Sequence, residues 1–336
     1  MIAPNALIWG GILVFASMLA AGVTSGQTGP QQEQPWKWPY SRIAEAVNKV
    51  RAGRDLTPKQ WPGGARVAVG LSFDFDNETV SLRDGQTSPA LMAQGEYGAR
   101  AGLPRILRLL DQSQIPATFF VPAVSAKLHP ESIKEIVSKR RHEIGIHGWI
   151  HERNSQLSEA EERELMRRSI STLTEMTAKP PVGLRTPSWD FSPATMKLVK
   201  EFGLVYDSSL MADDRPYEIL IDGNATGVVE LPVEWIMDDF PYFGMDRATT
   251  LRPYTQPDDV YNIWRAEFDK AYEEGTVFIL TMHPHVIGHR SRIAMLERLV
   301  AYMRSRSGVW FATHEGIAKY VLEAAQPPRT GSGSPR

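Results

Sequence analysis

From residue 66 onward the chain alternates short apolar runs with amphipathic stretches. The β-rich runs are RVAVGLSFDFD (66–76), ATFFVPA (117–123), EIGIHG (143–148), VGLRTP (182–187), LVYDSSL (204–210), VVELPVEW (228–235), TVFILTMH (276–283) and VWFATH (309–314). Between most of them lie stretches of helical period: LPRILRLLDQ (103–112), ESIKEIVSKRR (131–141), SEAEERELMRRSISTLTEM (158–176), SPATMKLVKEFG (192–203), PDDVYNIWRAEFDKAYEEG (257–275) and RIAMLERLVAYMRSR (292–306). Strand-like runs separated by helices through short connections predict a β/α architecture with a parallel sheet. SRIAEAVNKVRAG (41–53) also has helical period and reads as a lead-in helix. Residues 27–65 are thus expected to be linker and lead-in helix, 66–322 one β/α domain, and 323–336 a disordered tail.

The N-terminal pattern differs. ALIWGGILVFASMLAAG (6–22) is an uncharged apolar run followed by small and polar residues. It reads as a secretory signal within 1–26, although no Lys or Arg precedes it, or, being nearly long enough for one membrane-spanning helix, as a retained membrane anchor. Either reading implies export to the periplasm, cell envelope or medium.

Composition narrows the chemistry. The 336 residues carry a net charge of −2, which gives no basic surface for nucleic acid. There are no cysteines, so thiolate nucleophiles and Cys-ligated metal are excluded and any metal site uses His and carboxylates. Six of the eight histidines cluster, three in 142–151 and three in 283–289.

The residues with chemical potential fall at the C-terminal ends of the β-rich runs, where β/α barrels build their active sites. Asp74 and Asp76 alternate with Phe73 and Phe75, so the two carboxylates share one strand face. His147 and His151 are four apart and face the same way if the segment is helical. Gly148 stands where a zincin-type helix would have Glu, so a base has to come from elsewhere. His142 reads as a solvent-facing residue of a basic tract, and His285, His289 and Arg290 as loop residues. Arg185 can hold a carboxylate through its planar fork. Trp189 reads equally as pocket wall or core, and His283 as a proton-transfer group or a hydrogen-bonded core histidine.

Taken in order, SFDFD, HGWIH, RTPSW and ILTMH resemble the motifs of the polysaccharide deacetylase (NodB-homology, carbohydrate esterase 4) superfamily over residues 66–320. The resemblance implies a distorted, TIM-like (β/α) barrel of seven or eight strands. It implies a divalent metal, zinc with cobalt or nickel as alternatives, held by Asp76, His147 and His151. It further implies Asp74 as base, Arg185 orienting it, His283 as acid, and Trp189 with Pro187 at the substrate. The commonest first motif has adjacent aspartates; the D-x-D form here, with VEWIMDDFPYF and MHPHVIGHRSRI, is similar to a subset named after peptidoglycan deacetylases, whose relatives include allantoinase-like and cyclic-imide-hydrolysing enzymes. The expected activity is deacetylation of an N-acetylated glycan such as peptidoglycan or a chitin-type sugar. Alternatives are hydrolysis of a small cyclic amide, imide or ureide, O-acetyl ester cleavage, and a non-catalytic glycan-binding module. A homo-oligomer is compatible with all of them.

Overall fold

The computed structural model describes residues 33–244 and 255–326. The expected signal or anchor and nearly all of the expected tail lie outside these residues. The chain divides into two units, Met1–Ile43 and Ala44–Arg336. In the first, the described residues include a short turn of helix, Pro35–Lys37, and the guanidinium of Arg42 lies 4.0 Å over the Trp38 ring.

Ten strands form in the described residues of the second unit. They are β1 (Val50–Asp55), β2 (Val67–Asp74), β3 (Thr118–Val121), β4 (Glu143–Ile146), β5 (Gly183–Leu184), β6 (Tyr206–Asp207), β7 (Tyr217–Ile221), β8 (Asn224–Glu230), β9 (Val277–Met282) and β10 (Val309–Phe311). All eight β-rich runs contain a strand. In sheet order β9-β2-β3-β4-β5-β6-β8 the pairing is parallel throughout. A single parallel bridge, Asp238 to Thr281, joins the chain beyond β8 back to β9. The sheet therefore curls into a distorted barrel whose last seam is one bridge wide. β3 and β10 share one edge of β2, pairing with Ser72–Asp74 and Val67–Val69 respectively.

β2 and β9 are buried along their whole length, as parallel strands covered on both faces must be. On β2, Val67, Val69, Leu71 and Phe73 point outward into the main core with the surrounding helices. The helix Leu103–Ser113 meets them with Leu103, Ile106, Leu107 and Leu110, the apolar stripe its period predicts. Burial of each such side chain contributes about 1.5–3 kcal/mol. Ala68 points the other way, into a second cluster inside the barrel with Phe120, Tyr206 and Val229. The helix His314–Ala324 adds Ile317, Ala318 and Val321 to that cluster and so fills the barrel floor. A Cβ at Gly70 would stand 2.9 Å from Ile279 Cδ1 and 3.2 Å from His314 Cε1, so the interior admits no side chain there.

Two regions depart from expectation. The lead-in helix ends at Asn48, and residues 50–55 form β1, which pairs antiparallel with β7. β7 pairs antiparallel with β8, so a hairpin extends the parallel sheet. The last helix runs to Ala324, so the chain is still helical where the tail was expected to begin at 323.

Candidate active site

The inward face of β2 carries Ser72 and Asp74, and Asp76 follows in the same sense while Phe75 joins the core. Both aspartates reach a cavity of ≈240 Å3 that is also lined by Val80, Arg83, His147, His151, Ser188, Trp189, Trp235, Asp238, Phe240 and His283.

Asp74 is buried and accepts a 2.8 Å hydrogen bond from Arg185 Nη1. Burial pushes its carboxyl up, but the charges of Arg185, His147 and His283 outweigh that and hold it below the usual range. Arg185 is itself 0% exposed and is held at every nitrogen. Nη1 also donates to Ser72 Oγ (2.8 Å), Nε to Ser208 O (3.0 Å) and Nη2 to Ser208 Oγ (3.0 Å) and towards His314 Nε2 (3.4 Å). His314 is kept neutral by burial and by Arg185, and can therefore accept from the guanidinium. Its Nδ1 lies 3.2 Å from Thr118 Oγ1, which donates to Glu143 Oε2 at 2.8 Å. A buried chain of bonds from the barrel floor thus fixes the guanidinium that donates to Asp74.

Asp76, His147 and His151 place one donor atom each within 4.8 Å of one another. His147 Nε2 lies 3.4 Å from Asp76 Oδ1, and His151 Nε2 lies 3.4 Å from Asp76 Oδ2. Burial raises the Asp76 carboxyl, and its Oδ1 is buried with no hydrogen-bond partner. His147 Nδ1 donates to Arg185 O at 2.8 Å, so Nε2, which faces Asp76, is the ring atom free to ligate. An orphaned carboxylate oxygen beside two imidazoles, one already in the ligating tautomer, fits a divalent cation. His151 needs one adjustment. Its Nδ1 faces Arg83 Nη1 at 2.5 Å, and an arginine N–H can only donate. A ring that gives Nε2 to a metal carries its proton on Nδ1, so Arg83 has to turn to its other acceptors, Ser188 Oγ and Asp84.

The two histidines converge by a loop, not by the helix considered from their spacing. Gly148 and His151 both have left-handed backbone, φ +74 and +64. The Glu152 carboxylate accepts the N–H groups of Trp149 and Ile150 and ties the loop together. His142 is not the solvent-facing residue expected of its basic tract. It is half-buried, accepts from Ala117 N at 3.2 Å and packs edge-on against Phe119. Burial and Arg141 lower its pKa to about 4.

His283 closes β9 and turns its ring towards Asp76, with Nε2 3.7 Å from Oδ2. Its Nδ1 donates to Asp239 Oδ1 at 2.7 Å, and its backbone N–H to Asp239 Oδ2 at 3.0 Å. Burial lowers its pKa, but Asp238 and Asp239 outweigh that and raise it well above the ordinary value. Asp238, Asp239 and His283 also have metal-compatible spacing, yet Asp239 is already satisfied by His283. The sequence reading missed Asp239; its signal was a DD pair after a β-rich run, at the barrel end where the other polar residues sit.

Trp189 forms the cavity wall, its ring 4.3 Å from that of Trp235. Trp235 is 49% exposed and stands at the mouth. Pro187 is buried, is not among the residues lining the cavity, and packs against Gly148, where a Cβ would meet its Cγ at 2.8 Å. His285 is not a loop residue but lies in the short helix Pro284–Ile287, while His289 and Arg290 begin the helix Arg290–Ser305.

Comparison with known proteins agrees with this geometry. The family model for polysaccharide deacetylase matches residues 89–206, the part that holds His147, His151 and Arg185. A peptidoglycan deacetylase of Helicobacter pylori is 30% identical over 282 residues, covering 76% of this chain and 96% of that protein. The crystal structure of a putative polysaccharide deacetylase from Mycobacterium smegmatis is 35% identical with a TM-score of 0.75, covering 85% of this chain and 100% of that one. The structure of Puue allantoinase is 29% identical with a TM-score of 0.70, covering 82% and 99%. By identity, coverage and fold, the chain belongs to the polysaccharide deacetylase (carbohydrate esterase 4, NodB-homology) family of hydrolases.

Proposed function

We propose that this protein is a metal-dependent hydrolase of non-peptide amide bonds that removes acetyl groups from an N-acetylated glycan of the peptidoglycan or chitin type. The observation that carries the reading is that a buried base, a metal-compatible donor set and a carboxylate-paired imidazole face one cavity. Asp76, His147 and His151 would hold the ion, with zinc the first candidate and cobalt or nickel compatible with the same ligands. When bound, such an ion supplies Lewis acidity and lets water ionise near neutral pH.

The chain's own groups divide the proton work. Asp74, kept ionised by Arg185, takes the proton from the attacking water. His283, kept protonated by Asp238 and Asp239, donates to the departing nitrogen, which is too basic to leave without a proton. Trp189 and Trp235 give an apolar wall for a sugar ring or acetyl methyl. The cavity is smaller than the roughly 300–1,000 Å3 of common ligand sites, so it suits one acylamino group with the polymer outside. The apolar run at 6–22 supports action outside the cytoplasm.

The same cavity size, with the likeness to an allantoinase, favours a second reading in which the substrate is a small cyclic amide, imide or ureide. One panel separates them: acetate release from chito-oligomers and peptidoglycan fragments against ring-opened product from cyclic imides and ureides. The machinery is tested by two variants. Asp74→Asn is expected to keep stoichiometric metal while kcat falls about 100-fold or more; Asp76→Asn is expected to lose the metal. Wild-type protein that retains no divalent ion, with activity indifferent to chelator, defeats the proposal.

A further inference from the structure

A second cavity lies beside the one at the metal ligands. Val80, Arg83 and Phe240 line both, and the second measures ≈200 Å3. The polar groups on the far side of that chamber include His285, His289 and Arg292.

Their pairing is lopsided. Among the described residues, no carboxylate lies within ion-pair distance of Arg292. Its Nη1 donates to Val286 O at 3.0 Å, and its guanidinium lies 4.9 Å over the Phe243 ring. Burial lowers its pKa, with the more distant Asp239 acting the other way, and Asp239 is already engaged by His283. His285 is 9% exposed, and its buried Nδ1 has no hydrogen-bond partner among the described residues. Burial and the neighbouring His283, His289 and Arg292 hold it neutral, at about 3. His289 lies flat on Tyr97, with ring centroids 4.0 Å apart, and burial with Arg292 lowers its pKa as well. Among the described residues the only carboxylate lining the chamber is Asp84, which Arg153 and Arg83 already engage. A half-buried guanidinium with no carboxylate at ion-pair distance among the described residues, next to an imidazole whose buried Nδ1 has no partner among them, is an unfavourable arrangement until an anion enters. Arginine's fork matches a carboxylate best.

Resting on the hydrolase reading above, we infer that the second cavity is a carboxylate subsite. The acyl group is presented at Asp76, His147 and His151, and the substrate passes between Val80, Arg83 and Phe240. An acidic substituent a few bonds from the scissile amide then meets Arg292, with His285 beside it. The preferred substrates are therefore acylamino compounds that bear a carboxylate, not their neutral counterparts.

Two measurements on the metal-loaded full chain test this. In calorimetry, glutarate is expected to bind at least roughly tenfold more tightly than its uncharged diamide, as a charge-assisted pair implies. Arg292→Met should abolish that preference, and Arg292→Lys, which keeps the charge but not the fork, should retain part of it. Circular dichroism and metal content identify a variant that has failed to fold. If the methionine variant fails, the lysine variant decides through a reduced preference. In turnover, the ratio of kcat/KM for oligomers of N-acetylmuramic acid over oligomers of N-acetylglucosamine should exceed one and fall about tenfold in Arg292→Met. Equal binding of acid and diamide by the wild type, or an Arg292→Met preference equal to the wild type's, overturns the subsite. Failure to release acetate from every compound would instead count against the deacetylase reading, and calorimetry would still decide the subsite.

Discussion

Gly148 is the residue at which the site's geometry can be tested most cheaply. Its φ of +74 disfavours any L side chain, and a Cβ there would stand 2.8 Å from Pro187 Cγ and 3.1 Å from Glu152 Oε1. Alanine at this position therefore adds a steric clash to backbone strain, and the clash falls on the loop that joins the two histidine ligands. Gly148→Ala is expected to lower stability by about 1–3 kcal/mol and to weaken metal retention, read by urea unfolding and by metal content after dialysis. Gly203→Ala is the control. Gly203 has a similar φ of +68 but nothing within 4 Å, so only the strain, about 1 kcal/mol, should appear and metal content should not change. The absence of Glu after the first histidine, legible in the sequence, thus has a steric cause: no side chain fits.

At the scale of elements, the seam between β8 and β9 positions the second proton-transfer group. The Asp238–Thr281 bridge and the Asp239 N–H to Thr281 O bond, 3.2 Å, bring Asp239 beside the end of β9, where His283 begins. Asp239→Asn removes one of the two charges that hold the imidazole above its ordinary pKa. The protonated form then disappears at lower pH, so the alkaline limb of the pH–activity profile should move down while metal content stays unchanged. Activity at the optimum should fall about 10- to 100-fold. A profile that keeps its alkaline limb would remove His283 from the acid role. The seam was hard to read in the sequence because it is one bridge long and leaves no alternating pattern. β1 was missed for a related reason: VRAGRD has one large apolar residue and a central glycine, and none of its six positions is buried. By contrast the fully buried β2 and β9 carry long apolar runs that end in chemistry, and they were read correctly. Asp74, Asp76 and His283 were legible because strand alternation fixes which way they face. The route to His151 was not, since a left-handed residue in a loop follows no period.

For the whole molecule, stability against pH is set by two buried populations that pull in opposite directions. Histidines 142, 151, 285, 289 and 314 are all held below the ordinary imidazole value, chiefly by burial. The unfolded chain binds their protons first, so their contribution is complete above about 6.5 and is lost as pH falls. Buried carboxyls act the other way. Asp207 on β6 and Glu230 on β8 are buried register neighbours, and burial pushes Asp207 up to about 6 and Glu230 well above its usual value. Here the folded chain binds the proton first. The stability from Asp207 is complete below about 3.8 and is lost as pH rises through about 6. One variant from each population separates the two. Relative to its own stability at pH 7.5, Asp207→Asn should be weaker at pH 4.5 than the wild type, because the gain from proton uptake is gone. His142→Asn, whose amide can still accept from Ala117 N, should be stronger at pH 4.5, because the neutral buried imidazole is gone. Each shift should be on the order of 1–3 kcal/mol, with the His142 figure at the low end because that ring is only partly buried. Urea midpoints at pH 4.5, 5.5, 6.5 and 7.5 read both. Shifts of the same sign in the two variants would show that these groups do not set the acid response of the fold.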